Sequence, residues 1–231
     1  MNKDQDIIYC YFPLNIKSIK QLIKLIYRNK SPIRIFHNFF LNNIEISGKA
    51  IDLGCGNHSS YLNYIKNKSK ELYFADKIKK DIKNYCYVDL EKKLCIDNET
   101  FDSVILFNVL EHIQNYKELI REIHRITKKR GNFEIFVPFM HKYHPDPIDV
   151  FRPTHAYLHK ILEEAGFEVK TYLIGVGPLS VFSEIIIKYF KFKFLKILAL
   201  LILLILDKII KIFSKDYNYY YNGIHCSCKK I

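Results

Sequence analysis

The chain is predicted to be an α/β protein, a mostly parallel sheet with helices on both faces. Two observations carry that expectation. From Lys49 onward, short apolar runs alternate with polar segments of helical period, the sequence sign of parallel strands joined by crossover helices. And "AIDLGCGNHSS", residues 50 to 60, runs an apolar strand end into two glycines and then a helix-like stretch, a strand, tight turn and helix start.

Taken in order, residues 14 to 42 hold "IKSIKQLIKLIYR" and "IRIFHNFFL", with apolar residues at three- and four-residue spacing, and so predict two amphipathic helices. Strands are predicted at 49–53, 71–75, 85–88, 102–107, 132–137 and 167–174, with a helix in "SSYLNYIKN" after the glycines. A helix is expected over 115–131, with Leu119, Ile120, Ile123 and Ile126 on one face and Gly131 as its stop. Another follows over 154–167, with Thr154 as N-cap and Gly166 at its end. A last strand is expected at about 219–229, where "YYNGIHCSCKK" puts Ile224, Cys226 and Cys228 on one face. That alternation argues against a metal site in "HCSC".

The 231 residues, 49% hydrophobic, suffice for one globular domain with additions. A formal charge of +12 suits a nucleic acid or an anionic membrane surface, although abundant Lys, Asn and Ile would also follow from biased composition. Six scattered cysteines read as reduced, and the charged start "MNKDQD" has no signal-peptide character, so a cytoplasmic protein is expected.

For a dinucleotide, a third glycine would stand where Ser59 is, which weakens the pyrophosphate reading of the loop. "IDLGCG" (51–56) instead resembles the first motif of the class I S-adenosylmethionine-dependent methyltransferases, hydrophobic-Asp-x-Gly-x-Gly. Asp76 in "LYFAD", Asp89 in "YVDLE", "FDSVILFNVLEHI" (101–113) and "KRGNFEIFVPF" (129–139) resemble that family's further motifs in order. The resemblance implies a Rossmann-like sheet of seven strands with the last antiparallel, S-adenosyl-L-methionine as cofactor, and a cofactor site of Asp52, Gly54, Cys55, Gly56, Asp76, Asp89, Leu90 and Asn108. It also implies roles: glycine backbone against the methionine part, Asp52 toward its amino group, Asp76 on the ribose hydroxyls, Asp89 and the Leu90 N–H at the adenine. Asn57 and His58 depart from the family pattern.

The acceptor is narrowed by two absences. No Asn/Asp-Pro-Pro-aromatic motif follows the fourth strand, and no Pro-Cys pair follows the fifth. "PFMHKYHPDPIDVFRPTH" (138–155) lies where the family builds its acceptor pocket, and its prolines predict a fixed loop. His144 and His141 are the candidate bases, with Asp149 and Arg152 as a bracing pair. A metal on His141, His144 and Asp146 lacks a recognised spacing, so none is expected. Glu111 and His112 stand where related enzymes carry the same pair beside the cofactor, in a structural or catalytic role.

Residues 194 to 213 are strongly apolar, but the uninterrupted run from Ile197 to Leu206 is too short to span hydrocarbon. Lys193, Lys196, Asp207, Lys208 and Lys211 fall on one side, and Lys188 and Lys191 precede it, as in a helix lying in an anionic interface. Burial in the core or in a homodimer is the rival. The chain therefore divides into an N-terminal helical cap (1–44), a cofactor-binding domain (45–175 and 217–231) and an amphipathic insert (176–216). The expected function is methyl transfer to a small-molecule or lipid-linked acceptor, probed against an RNA methyltransferase and a non-catalytic scaffold.

Overall fold

The structure, a computed structural model, describes residues 7–56, 60–145 and 148–231. Eight strands, β1 (Ile7–Cys10), β2 (Glu45–Leu53), β3 (Lys66–Asp76), β4 (Tyr85–Tyr87), β5 (Phe101–Phe107), β6 (Thr127–Pro138), β7 (Phe167–Ile174) and β8 (Gly223–Lys230), form one sheet. Its order is β1-β7-β8-β6-β5-β2-β3-β4. Every pairing is parallel except those of β8, which runs antiparallel between β6 and β7. This is the sheet implied by the resemblance with one strand more: β1, four residues long and too short to show a period, adds to the edge of β7.

Helices α1 (Ile16–Tyr27), α2 (Pro32–Phe40), α3 (Tyr116–Ile126), α4 (His155–Glu164), α5 (Pro178–Ile186) and α6 (Lys193–Phe213) cover it. Asn15 and Ser18 form a reciprocal capping box on α1, and Pro32 begins α2, where a missing N–H costs nothing. Strand residues alternate between two cores. Val104, Leu106, Phe133 and Ile135 meet the α3 and α4 side. Ile105, Phe107 and Phe136 meet α1, α2 and α6.

Two expectations are corrected. The stretch after the glycine loop forms only a 3-10 turn, Ser60–Tyr64, because the following residues join β3, where Lys66 pairs with Glu45 and Lys68 makes a 2.9 Å ion pair with Glu45. Helix α3 ends at Ile126, not at Gly131. Thr127 pairs with Phe101 and starts β6, so the basic residues and Gly131 lie in an irregular strand start. Thr154 does cap α4, accepting from the Tyr157 N–H.

Helix α6 turns part of its polar side inward, while Lys208 and Lys211 stay exposed. Asp207 is buried and accepts hydrogen bonds from the Leu179 N–H (2.9 Å), the Ser180 N–H (2.6 Å) and the Ser180 hydroxyl (2.6 Å), satisfying the first turn of α5. Burial raises its pKa against the pull of those donors. Lys193 donates to the Tyr27 carbonyl, and the Lys211 ammonium sits 3.4 Å over the Tyr11 ring. The outward side also carries an apolar stripe: Phe194, Leu198, Ile202, Ile205, Ile209 and Ile212 are all exposed. No described helix is long and apolar enough to cross a membrane.

Candidate functional site

The carboxyl ends of β2, β3, β5 and β6 gather most of the residues predicted to matter, as open α/β sheets place their ligands. At the end of β2 the chain turns through Gly54 at φ +69° and Gly56 at φ +55°, left-handed conformations that favour glycine. A Cβ on Gly54 would stand 2.5 Å from a Val109 methyl, whereas one on Gly56 would meet nothing within 4 Å among the described residues. The loop is thus closely packed beneath and open above. Cys55 between them is buried, and burial raises its thiol pKa. Asn57, His58 and Ser59 lie outside the described residues.

Asp76, ending β3, accepts from the Gly56 N–H (2.8 Å) and from the Ile78 N–H (3.2 Å), one bond to each oxygen. Each oxygen keeps a lone pair for another donor. Asp89 accepts from the Glu91 N–H at 3.1 Å beside buried Leu90. Asp52 is fully buried, and its two oxygens face the Tyr61 hydroxyl at 2.6 and 2.7 Å. Tyr61 comes from the 3-10 turn, and no sequence signal pointed to it. Asn108 leaves β5 at φ +56°, with its N–H donated to the Phe136 carbonyl.

The loop after β6 has no regular secondary structure among its described residues and is folded back by its own polar groups. Asp149 accepts from the His144 N–H (3.1 Å) and pairs with Arg152, as the bracing role required. Burial would raise its carboxyl, and the His144 N–H and the cations more than reverse this, leaving the pKa below the usual value. The Val150 N–H bonds to the Glu111 carbonyl (2.9 Å), fastening the loop to the turn after β5. Asp146 lies outside the described residues.

His112, His141 and His144 come together there, with ring centroids 5.0 Å apart for His112–His144 and 4.9 Å for His141–His144. His141 is anchored: its Nδ1 lies 2.8 Å from the Glu184 carboxylate of α5, whose other oxygen accepts from the Ile33 N–H at the start of α2. Glu111 is fully buried, with neither carboxylate oxygen hydrogen-bonded among the described residues. His112 Nε2 and His144 Nε2 each stand 3.7 Å from its Oε1. That carboxylate holds the His144 pKa above the ordinary histidine value, against burial.

The arrangement offers an open glycine turn, carboxylates at successive strand ends that suit a cationic, hydroxyl-bearing ligand, and imidazoles beside it able to take a proton. Comparisons agree. A family model described as a methyltransferase domain matches residues 25–172. No curated protein matches the sequence. Among solved structures, a methyltransferase of Haloferax volcanii in complex with the Trm112 methyltransferase activator aligns at TM-score 0.56 and 14% identity, covering 92% of this chain and 95% of that one. An S-adenosylmethionine-dependent methyltransferase from Mesorhizobium loti aligns at TM-score 0.54 and 14% identity, with coverages of 83% and 95%. Phosphoethanolamine N-methyltransferase 2 of Haemonchus contortus, solved with S-adenosyl-L-methionine, aligns at TM-score 0.50 and 14% identity over 86% of this chain and 52% of that one.

Proposed function

Because the chain belongs to the methyltransferase-domain family matched over residues 25–172, we propose that it transfers the methyl group of S-adenosylmethionine to a small-molecule or lipid-linked acceptor at an anionic membrane surface. S-adenosylmethionine is the cofactor, and it brings an electrophilic methyl on a cationic sulfur. The residues fit it. The Gly54–Gly56 backbone leaves room for the methionine part, Asp76 has lone pairs for the ribose hydroxyls, and Asp89 with the Leu90 N–H stands ready for the adenine. Asp52 supports the loop through Tyr61 and supplies negative charge under the amino end. His141 and, where its Nε2 is free, His144 are the candidates to take an acceptor proton, their rings 4.9 Å apart.

The observation that carries the membrane assignment is the exposed apolar stripe of helix α6, opposite the Leu200 and Leu204 side that joins the core. A helix on a water-soluble surface turns its polar side out. Here Asp207, Lys193 and Lys211 bind the protein, and an apolar stripe faces outward, continued by exposed Phe182, Ile185, Tyr189 and Phe192. From 178 to 215 the only acidic residues are Glu184 and Asp207, both engaged, while Lys188, Lys191, Lys208 and Lys215 are exposed. An apolar stripe rimmed by uncompensated lysines complements an anionic bilayer: the rings and branched chains enter the interface, and the ammonium groups meet lipid phosphates. The Glu184–His141 contact ties this surface to the acceptor loop, which favours an acceptor taken from the membrane.

Two measurements test this. Calorimetry should show S-adenosylmethionine binding by the native chain and none by Gly54→Arg, whose side chain would collide with Val109; absence of binding by the native chain would refute the enzyme assignment. Flotation with vesicles containing phosphatidylglycerol should carry the native chain and leave Leu198→Glu/Ile205→Glu behind. These two positions are exposed, whereas Leu204 belongs to the core. Flotation unchanged in the double variant, or a dimer that the same variant dissociates, would overturn the membrane assignment.

A further inference from the structure

We propose that Glu111, His112 and His144 form a binding site for one divalent transition-metal ion of the zinc type. The three side chains each present a ligand atom, and those atoms all lie within 4.8 Å of one another. The protons of the imidazoles are fixed by their other nitrogens. His112 Nδ1 faces the Ile148 carbonyl at 2.5 Å, a group that only accepts, so Nδ1 carries the hydrogen and Nε2 a lone pair. His144 Nδ1 lies 3.2 Å from the Lys142 carbonyl, 3.2 Å from Asp149 Oδ2 and 3.3 Å from Arg152 Nη2, which only donates. With the Nδ1 hydrogen turned to the two acceptors, its Nε2 offers a lone pair to an ion.

Both lone pairs then point toward a third electron-rich group, the Glu111 carboxylate, at 3.7 Å. That distance is too long for a hydrogen bond. Glu111 is 0% exposed, and neither oxygen has a partner among the described residues. A fully buried carboxylate flanked by two imidazole nitrogens is costly unless a cation, a proton on an imidazole or a metal ion held by all three groups, completes it. A tetrahedral ion bonded at about 2.0–2.2 Å to nitrogen and oxygen separates its ligands by about 3.4 Å, so the Glu111–imidazole distances of 3.7 Å need a contraction of a few tenths of an ångström, with the two imidazoles drawn together from within 4.8 Å. The supports of the imidazoles, a backbone carbonyl for one and a carboxylate for the other, are those that orient histidine ligands toward metals. Three protein ligands leave a fourth position free. Its use by the acceptor's oxygen or nitrogen rests on the methyl-transfer assignment; the binding of the ion does not.

The test uses the full chain, stripped of metal with a chelator and titrated with zinc against a chromophoric competitor, with cobalt(II) as spectroscopic probe. One zinc per chain is expected, with affinity at least 10-fold weaker in His144→Gln and in Glu111→Gln. Cobalt should give intense tetrahedral visible bands without a near-ultraviolet thiolate band, which separates this site from the cysteines. Thermal melting of each variant identifies those that remain folded. Substoichiometric zinc in the native chain, or undiminished affinity in a folded Glu111→Gln or His144→Gln variant, would overturn the site. Loss of S-adenosylmethionine binding with zinc retained would instead strike the methyl-transfer assignment alone.

Discussion

The sheet carries two groups of histidine and glutamate, built from the same residue types and in opposite states. Beneath α2, His225 Nε2 lies 2.8 Å from Glu134, Ser227 donates to the same oxygen at 2.7 Å, and His225 Nδ1 reaches His37 Nε2 at 3.1 Å. The His37 ring stacks on Phe136 with centroids 3.6 Å apart. At the carboxyl edge, Glu111 and its two imidazoles stop at 3.7 Å and the carboxylate has no hydrogen bond among the described residues. Buried polar groups that are satisfied by the chain itself specify and stiffen a core. A group left unsatisfied in equal burial is held open for something the chain does not supply. The difference separates scaffold from site more sharply than residue identity does.

The contrast breaks most visibly at its two carboxylates. Glu111→Gln should lower single-turnover methyl transfer by about 100-fold or more. In the metal-stripped chain its melting temperature should hold or rise, since a buried charge is removed. Glu134→Ala should do the reverse. It leaves His225 and Ser227 without their acceptor and should cost about 2–3 kcal/mol, a fall in melting temperature of roughly 4–12 °C, with turnover per folded molecule little changed.

A smaller effect is expected from pH. Burial, reinforced by the nearby His225 and Arg34, holds the His37 pKa well below 6.5 in the folded chain, while the unfolded chain titrates near that value. Below about pH 6.5 the unfolded state therefore takes up a proton that the folded state refuses, and stability must fall as pH drops. His37→Gln should flatten that decline by at most about 1.4 kcal/mol per pH unit, read from chemical denaturation between pH 7 and 5. A native stability curve flat over that range would show that His37 is not held neutral.

How much of this was legible in the sequence follows from how local each cause is. β5, β6 and β7 are continuous or alternating apolar runs, and Gly54, Gly56 and the Thr154 cap act through neighbours one to three residues away, so a linear reading finds them. The Asp149–Arg152 brace is equally short-ranged. The contacts that escaped join distant segments: His141 with Glu184, β1 with β7, and Glu134 with His225. The sequence marks α6 as amphipathic, but its period cannot say that Asp207 turns inward with Leu200 and Leu204; the α5 N-terminus decides, because its free N–H groups need Asp207. Tyr61 escaped because its short turn carries no periodic signal.

One further consequence lies in how β7 and β8 are joined. They pair along their lengths, from Ile174 against Gly223 to Phe167 against Lys230, so topologically they are one hairpin. Helices α5 and α6 are its loop. Closing a long loop costs only a logarithmic increment over closing a short one, so such an excursion can be lengthened, shortened or exchanged with little effect on the strand order at its base. The apolar apparatus is therefore the part of this molecule most open to replacement. A chain that kept the glycine turn and the imidazole cluster but carried a different hairpin loop could move the same chemistry to another surface.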